Sequence, residues 1–247
     1  MIEIPMRIRG AYKQDTLLAM GSERVEGAYT AQNILSLNDK KKEQTGKKAP
    51  LQPVRPIERP MPKLSHVMQK GQKVSLAAFG ALPKVEIRLG WKTSRADCEV
   101  DVSAFLLGEN GKVIGDDWFV FYGQSVSPDG STSFVAEDAM DKEMVLLDVN
   151  RLHRAVKKIV FVLTIHEALE KGLHFGMVRD AYIRILEQGT QKELVSFQMT
   201  EYYDNVISMM IGELYLYKDV WKFHGIGNGV ARDLAGLCAL YGVQVSG

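Results

Sequence analysis

Cysteine is nearly absent from this 247-residue chain, which holds only Cys98 and Cys238, and its charges almost cancel, with 31 Lys+Arg against 30 Asp+Glu. Two thiols cannot build a disulfide framework, and they fit a reducing compartment. A net charge of +1 gives no reason to expect broad nucleic-acid binding or strong attraction to an anionic membrane, so nucleic acid is not an expected partner. No apolar run approaches the ~20 residues that cross a bilayer. The opening Met1-Ile-Glu-Ile-Pro-Met-Arg-Ile-Arg9 lacks a basic region followed by an apolar core. The expectation is a cytoplasmic protein without a membrane span. With 46% hydrophobic residues, the chain can bury a sizeable core.

Charge and proline divide the chain. Residues 1–62 carry 11 Lys+Arg and 7 Asp+Glu, a net of +4, which leaves 20 and 23, a net of −3, for residues 63–247. Six of the eight prolines also lie in the first part: Pro5, Pro50, Pro53, Pro56, Pro60 and Pro62. Residues 38–62 have almost no large apolar side chain, so burial cannot offset their ordering entropy, and they read as a Lys/Pro-rich linker. Residues 1–37 are an N-terminal extension too poor in apolar residues for its own core. They would pack as an extra strand or helix on the main domain, residues 63–247, or dock on another subunit.

From residue 63 onward a period of two dominates. Val85, Ile87 and Leu89 alternate with Glu86 and Arg88. Asn110-Gly111 between apolar runs signals a hairpin, with Trp118–Tyr122 as the returning strand. Lys158–Ile165 is apolar on both faces and reads as a strand buried between two layers. Further strands fit residues 132–136, 143–149, 179–187, 193–199, 206–217 and 220–224. Helical signals are few: a short turn near Ala168–Gly172, and the stripe Leu234, Leu237, Cys238 and Tyr241 at i, i+3, i+4 and i+7. Many short strands and one terminal helix predict a mainly β protein, a two-sheet β-sandwich with few short helices and a C-terminal helix.

Some residues could carry chemistry. On strand 98–107, Glu99 and Asp101 share a face. Two adjacent carboxylates repel, and a hard cation would relieve that repulsion, but this feature alone favours a solvated polar strand end. Asp116-Asp117, Asp129 in the turn Ser127–Ser131, and Glu137, Asp138, Asp141 and Glu143 add oxygens of the type calcium takes, six to eight at a time. His166 and Glu167 are adjacent, and on a strand they would point to opposite faces. No histidine has a partner at zinc spacing. Cys98 reads as a packed thiol. Gly225-Ile-Gly-Asn-Gly229 could cradle an anion at a helix start, but without a Lys-Ser/Thr pair it reads as a tight strand-to-helix turn. The aromatic set Trp118, Phe119, Phe121, Tyr122, Tyr215, Tyr217, Trp221 and Phe223 alternates as core residues do, which argues against a base-stacking platform.

Taken in order, several segments resemble the TerD family of tellurium-resistance and stress-response domains. They run from Gln69-Lys-Gly-Gln-Lys-Val-Ser-Leu76, Leu89-Gly-Trp91 and Glu99-Val-Asp-Val-Ser-Ala-Phe-Leu-Leu107 through Asp116-Asp-Trp-Phe-Val-Phe-Tyr122 and Ser127-Pro-Asp-Gly-Ser131. Phe161-Val-Leu-Thr-Ile-His-Glu-Ala168, Phe175-Gly-Met-Val178, Gly212-Glu-Leu-Tyr215 and Tyr241-Gly-Val243 complete the series, which spans about residues 66–245. The resemblance implies a β-sandwich that binds calcium, acts in chemical-stress resistance and has no catalytic activity. It implies calcium ligands among Glu99, Asp101, Asp129, Glu137, Asp138, Asp141 and Glu143. The family's glycine- and aspartate-rich loop is shortened here to residues 135–143 and carries Lys142, which implies that one of two sites is lost or weakened. Expected partners are other proteins of a stress-response or tellurium-resistance complex, with a homo-oligomer left open. The alternative is a metal-independent scaffold that assembles through its N-terminal segment.

Overall fold

Alternation along each strand sends every second side chain to one face, and here two such faces meet. The computed structural model describes residues 29–30, 60–79, 84–136 and 141–246, with strands numbered in chain order. One six-stranded sheet runs β2 (Val67–Met68), β11 (Glu193–Gln198), β10 (Val178–Glu187), β4 (Lys84–Thr93), β8 (Glu143–Asp148), β7 (Thr132–Ala136). The other runs β3 (Lys73–Ser75), β13 (Val220–Val230), β12 (Ser208–Tyr217), β9 (Lys158–Ile165), β5 (Val100–Leu107), β6 (Phe119–Val120). Neighbouring strands in these sheets are antiparallel except β2 on β11. The sheets stack through Val85, Ile87, Leu89, Ile183 and Ile185 on one side and Val102, Ala104, Leu106, Phe161 and Leu163 on the other. This is the expected β-sandwich.

A second, smaller core lies on the opposite face of the second sheet. Phe105, Leu107, Val160 and Val162 alternate with the inter-sheet residues and meet Leu237, Cys238 and Val243. The last three belong to or follow α2 (Leu234–Tyr241); α1 is the single turn Ala168–Lys171. The predicted apolar stripe is therefore what seats the terminal helix. It also explains why β9 is apolar on both faces, since one packs on the other sheet and one on the helix. The Asp233 carboxylate caps α2 by accepting the Gly236 N–H at 2.8 Å, and Gly242, at φ 81°, closes it in the left-handed conformation.

Three expectations need correction. After β5 the chain turns at Gly108–Lys112, but only Gly111 takes positive φ, 71°, so the turn is not the primed type expected of Asn-Gly. The returning strand is only the two-residue β6, because Trp118 lies in a 3₁₀ turn and the Val113 N–H is given to the Tyr241 carbonyl at the end of α2, 2.8 Å away. Val113 keeps a single bridge to Leu107 and gives its N–H to the helix, so the pairing does not extend into a strand. Third, the glycine run is not a strand-to-helix turn, since β13 continues through it to Val230.

The reason for those glycines is packing. A Cβ on Gly225 would lie 2.9 Å from the Phe197 ring, and one on Gly229 would lie 2.5 and 2.6 Å from the two γ-methyls of buried Val206. A β-branched side chain has little rotamer freedom to retreat. Gly229→Ala is therefore expected to cost about 1–3 kcal/mol through overpacking, read from urea unfolding; a cost under about 0.5 kcal/mol would show that Val206 can move aside.

The aromatic set divides. Phe119, Phe121 and Phe223 are fully buried, whereas Tyr215 and Tyr217 leave the core and face outward. The linker 38–62 and the extension 1–37 lie largely outside the described residues; of the extension, only β1 (Tyr29–Thr30) is described, paired in parallel with β14 (Val245–Ser246). The main domain's start is pinned where Glu193 Oε1 accepts the N–H groups of Ser65 and His66 at 2.8 and 2.9 Å.

Candidate functional site

The seven carboxylates expected as calcium ligands go to different places. Glu99, exposed, immediately precedes β5, and Asp101, half-buried, is the second residue of that strand. Val100 pairs with Ile165 at the end of β9, and the His166 N–H donates to the Glu99 carbonyl at 2.9 Å. Here Glu167 takes φ 50°, which turns it off the strand line, and α1 follows. As a result His166 Nε2 and Glu167 Oε1 come within 3.3 Å, correcting the expectation that adjacent residues would diverge. Lys171 pairs with Glu167 one helical turn back. Its ammonium is held above the usual lysine range first by that hydrogen bond, with the charges of Glu167, Glu99 and Asp97 adding to it.

Glu143 begins β8 and points between the sheets. Its Oε2 accepts the Val102 N–H at 2.7 Å, on the β5 residue next to Asp101. This bond ties the start of β8 to the acidic end of β5. Glu137 and Asp138 themselves lie outside the described residues.

Asp129 and Asp141 are engaged by protein donors. Asp129 accepts from the Ser127 hydroxyl at 2.7 Å and the N–H groups of Ser131 and His153 at 2.9 and 2.8 Å, closing its own turn onto the 153 loop. Burial alone would raise its carboxyl, but these hydrogen bonds outweigh it and hold the group below the usual range. Asp141 is fully buried. It accepts from Arg184 at 2.6 and 3.0 Å, from Arg88 at 3.3 Å and from the Tyr182 hydroxyl at 2.7 Å. Glu86 holds the other edge of Arg88 at 2.7 and 2.9 Å, and Gln191 donates to Glu86 at 3.0 Å. Tyr182 reaches Asp141 only because it lies across Gly90, where a Cβ would stand 2.3 Å from its oxygen. Sequence reading missed this cluster, because Arg184 and Tyr182 come from β10, four decades of sequence past Asp141.

Protein donors therefore engage the Asp129 and Asp141 carboxylates, and these groups, like Glu99 and Asp101, are hard oxygens of the type calcium prefers. Among the described residues no group of three or more His, Cys, Asp or Glu side chains is placed to hold a metal ion. Both cysteines are buried, and burial pushes both thiols above their ordinary range, so neither is poised as a thiolate.

Sandwich, terminal helix and motif order agree with one family. Residues 64–241 match the TerD domain. The chain belongs to the TerD domain family. It is 37% identical over 192 residues to the tellurium resistance protein TerD of Serratia marcescens, covering 74% of this chain and 100% of that one. The TerD protein of an Alcaligenes species is 36% identical with the same coverage. General stress protein 16U of Bacillus subtilis is 34% identical over 188 residues, 72% of this TerD-domain chain and 97% of the relative. Among the described residues no helix is long and apolar enough to cross a membrane.

Proposed function

We propose that this TerD-domain protein acts without catalysis in a tellurium-resistance or chemical-stress system, and that it binds one calcium ion at the acidic end of β5. Glu99 and Asp101 supply the first oxygens, and Glu137 and Asp138 of the acidic connection before β8 are the further carboxylates of the proposed set. The observation that carries the reading is the Glu143–Val102 bond, which holds the buried carboxylate at the start of β8 next to Asp101 on β5. Lys171 opposes it by placing an ammonium among the same carboxylates. Few charged ligands and a competing cation put the affinity near 10⁻⁴–10⁻³ M, roughly the weak end of calcium sites. Resistance is then indirect, since buried thiols leave no obvious reductant for tellurite. The site works with other proteins of the resistance system in the cytoplasm.

Calorimetry and thermal melts of the chelator-stripped chain test this reading. Calcium at 100-fold excess over its dissociation constant should stabilise the fold by about 2.7 kcal/mol. Glu99→Gln with Asp101→Asn should abolish the response, Asp129→Asn should leave it, and Lys171→Ala should tighten binding. A response that survives loss of Glu99 and Asp101 removes them from the site. No heat and no shift up to about 0.1 M calcium, roughly 100-fold over the weakest expected dissociation constant, select the second reading, favoured by the engagement of Asp129 and Asp141: a metal-independent scaffold that assembles through residues 1–62.

A further inference from the structure

Among the described residues, the outward face of the second sheet is covered by α2 at one side and open at the other. On the open part, β12 presents Tyr215 and Tyr217, with Tyr217 50% exposed. Lysines from four places converge on them. Lys222 and Lys218 stand 4.6 and 5.5 Å from the Tyr217 ring centre, and Lys73 of β3 stands 5.8 Å from that of Tyr215. Lys158 is paired in register with Tyr215. The acidic group in their midst, Glu213, is held by Lys158 at 2.9 Å and by His224 at 3.1 Å, so its charge is offset locally. The tip adds a further sign. Lys218 and Asp219 form the two-residue loop between β12 and β13 at φ 49° and 59°, where Asn or Gly would be expected. A lysine kept in that conformation is what brings the Lys218 ammonium over Tyr217.

We propose that this face binds single-stranded nucleic acid, the two tyrosines stacking on bases and the lysines contacting phosphates. The rings sit two residues apart on one strand, roughly 6.8 Å, which is about two phosphate spacings of a stacked strand. A base arriving on Tyr217 displaces an ammonium from the ring. Stacking outweighs an exposed cation–π contact, and the freed lysine moves to a phosphate. The near-zero net charge of the chain hides this patch, because the opposite end of the same sheet carries Asp97, Glu99, Asp101 and Glu167. The proposal is independent of the calcium reading.

Fluorescence anisotropy of labelled oligothymidylate with the full chain tests it. Binding is expected at about 10⁻⁶–10⁻⁴ M near physiological salt, with a log–log salt slope of about −2 to −3 from four lysines. Tyr217→Ala should weaken it by about tenfold and Tyr217→Phe should retain it, since the ring is what stacks. Tyr217 is exposed, so both variants should fold, as a thermal melt would verify. The duplex of the same sequence should bind more weakly. Absence of binding at millimolar protein, or binding that Tyr217→Ala leaves unchanged, overturns the proposal. So does equal competition by polyglutamate, which would point to an acidic protein segment instead.

Discussion

Asp141→Ala should cost about 3–5 kcal/mol of folding stability, seen as a lower urea midpoint at unchanged slope. Asp141 has no exposed side-chain surface, and it balances two guanidiniums that are themselves about nine-tenths buried. Removing it takes from Arg184 the carboxylate it meets at 2.6 Å and from Arg88 one of its carboxylate partners, so positive charge is left undercompensated away from water. The Tyr182 hydroxyl loses its acceptor at the same time, and burial together with the Asp141 charge already pushes that phenol well above its ordinary range, so it cannot help by ionising. Asp141→Asn keeps an acceptor but not the charge, and it should cost less than alanine. Adding Arg184→Met to Asp141→Ala should recover part of the loss, since the orphaned charge goes too. A cost below about 1 kcal/mol, or one that appears only when calcium is present, would mean that the carboxylate is not chiefly a partner of these arginines.

The cluster also shows where sequence reading stops. Strand positions were legible because a period of two is local: Val85, Ile87 and Leu89 announce β4 whatever lies beside it. The parity that would put Glu99 and Asp101 on one face is local as well, although the strand itself begins at Val100 and takes in only Asp101. Glu86 and Arg88, however, read only as the polar half of the β4 alternation, and the β4–β10 register, which sets Arg184 opposite Arg88 and Tyr182 opposite Gly90, turns them into a buried network. Register between strands about a hundred residues apart leaves no trace in either strand alone. The same limit applies to the glycines of β13, whose need is set by Phe197 and Val206, and to Tyr215 and Tyr217. Their alternation with Leu214 and Leu216 announces a face but not whether a helix covers it. His166 and Glu167 were misread for a different reason: one residue in the left-handed region ends the strand parity.

Leu237→Ala is expected to cost about 2–5 kcal/mol, the range for emptying a fully buried leucine site. The loss should be concentrated at the terminal helix. Eight residues are too few for α2 to persist by itself, so it depends on seating Leu237 and Cys238 over Phe105, Phe119, Val160 and Val162. Once the seat is weakened, the helix should open before the sandwich does, a local unfolding that exposes the stacked rings of Phe105 and Phe119, 4.5 Å apart. Thiol labelling separates this from global loss, because Cys238 lies in the helix core and Cys98 in the inter-sheet core. In the variant Cys238 should label much faster while Cys98 keeps its protection, and the Val113 amide, bonded to the Tyr241 carbonyl, should exchange sooner. Equal acceleration of both thiols would make the two cores one cooperative unit. Unchanged labelling of Cys238 would show that the helix is held by its capped ends, with Asp233 and Gly242 doing what the apolar stripe is here assigned.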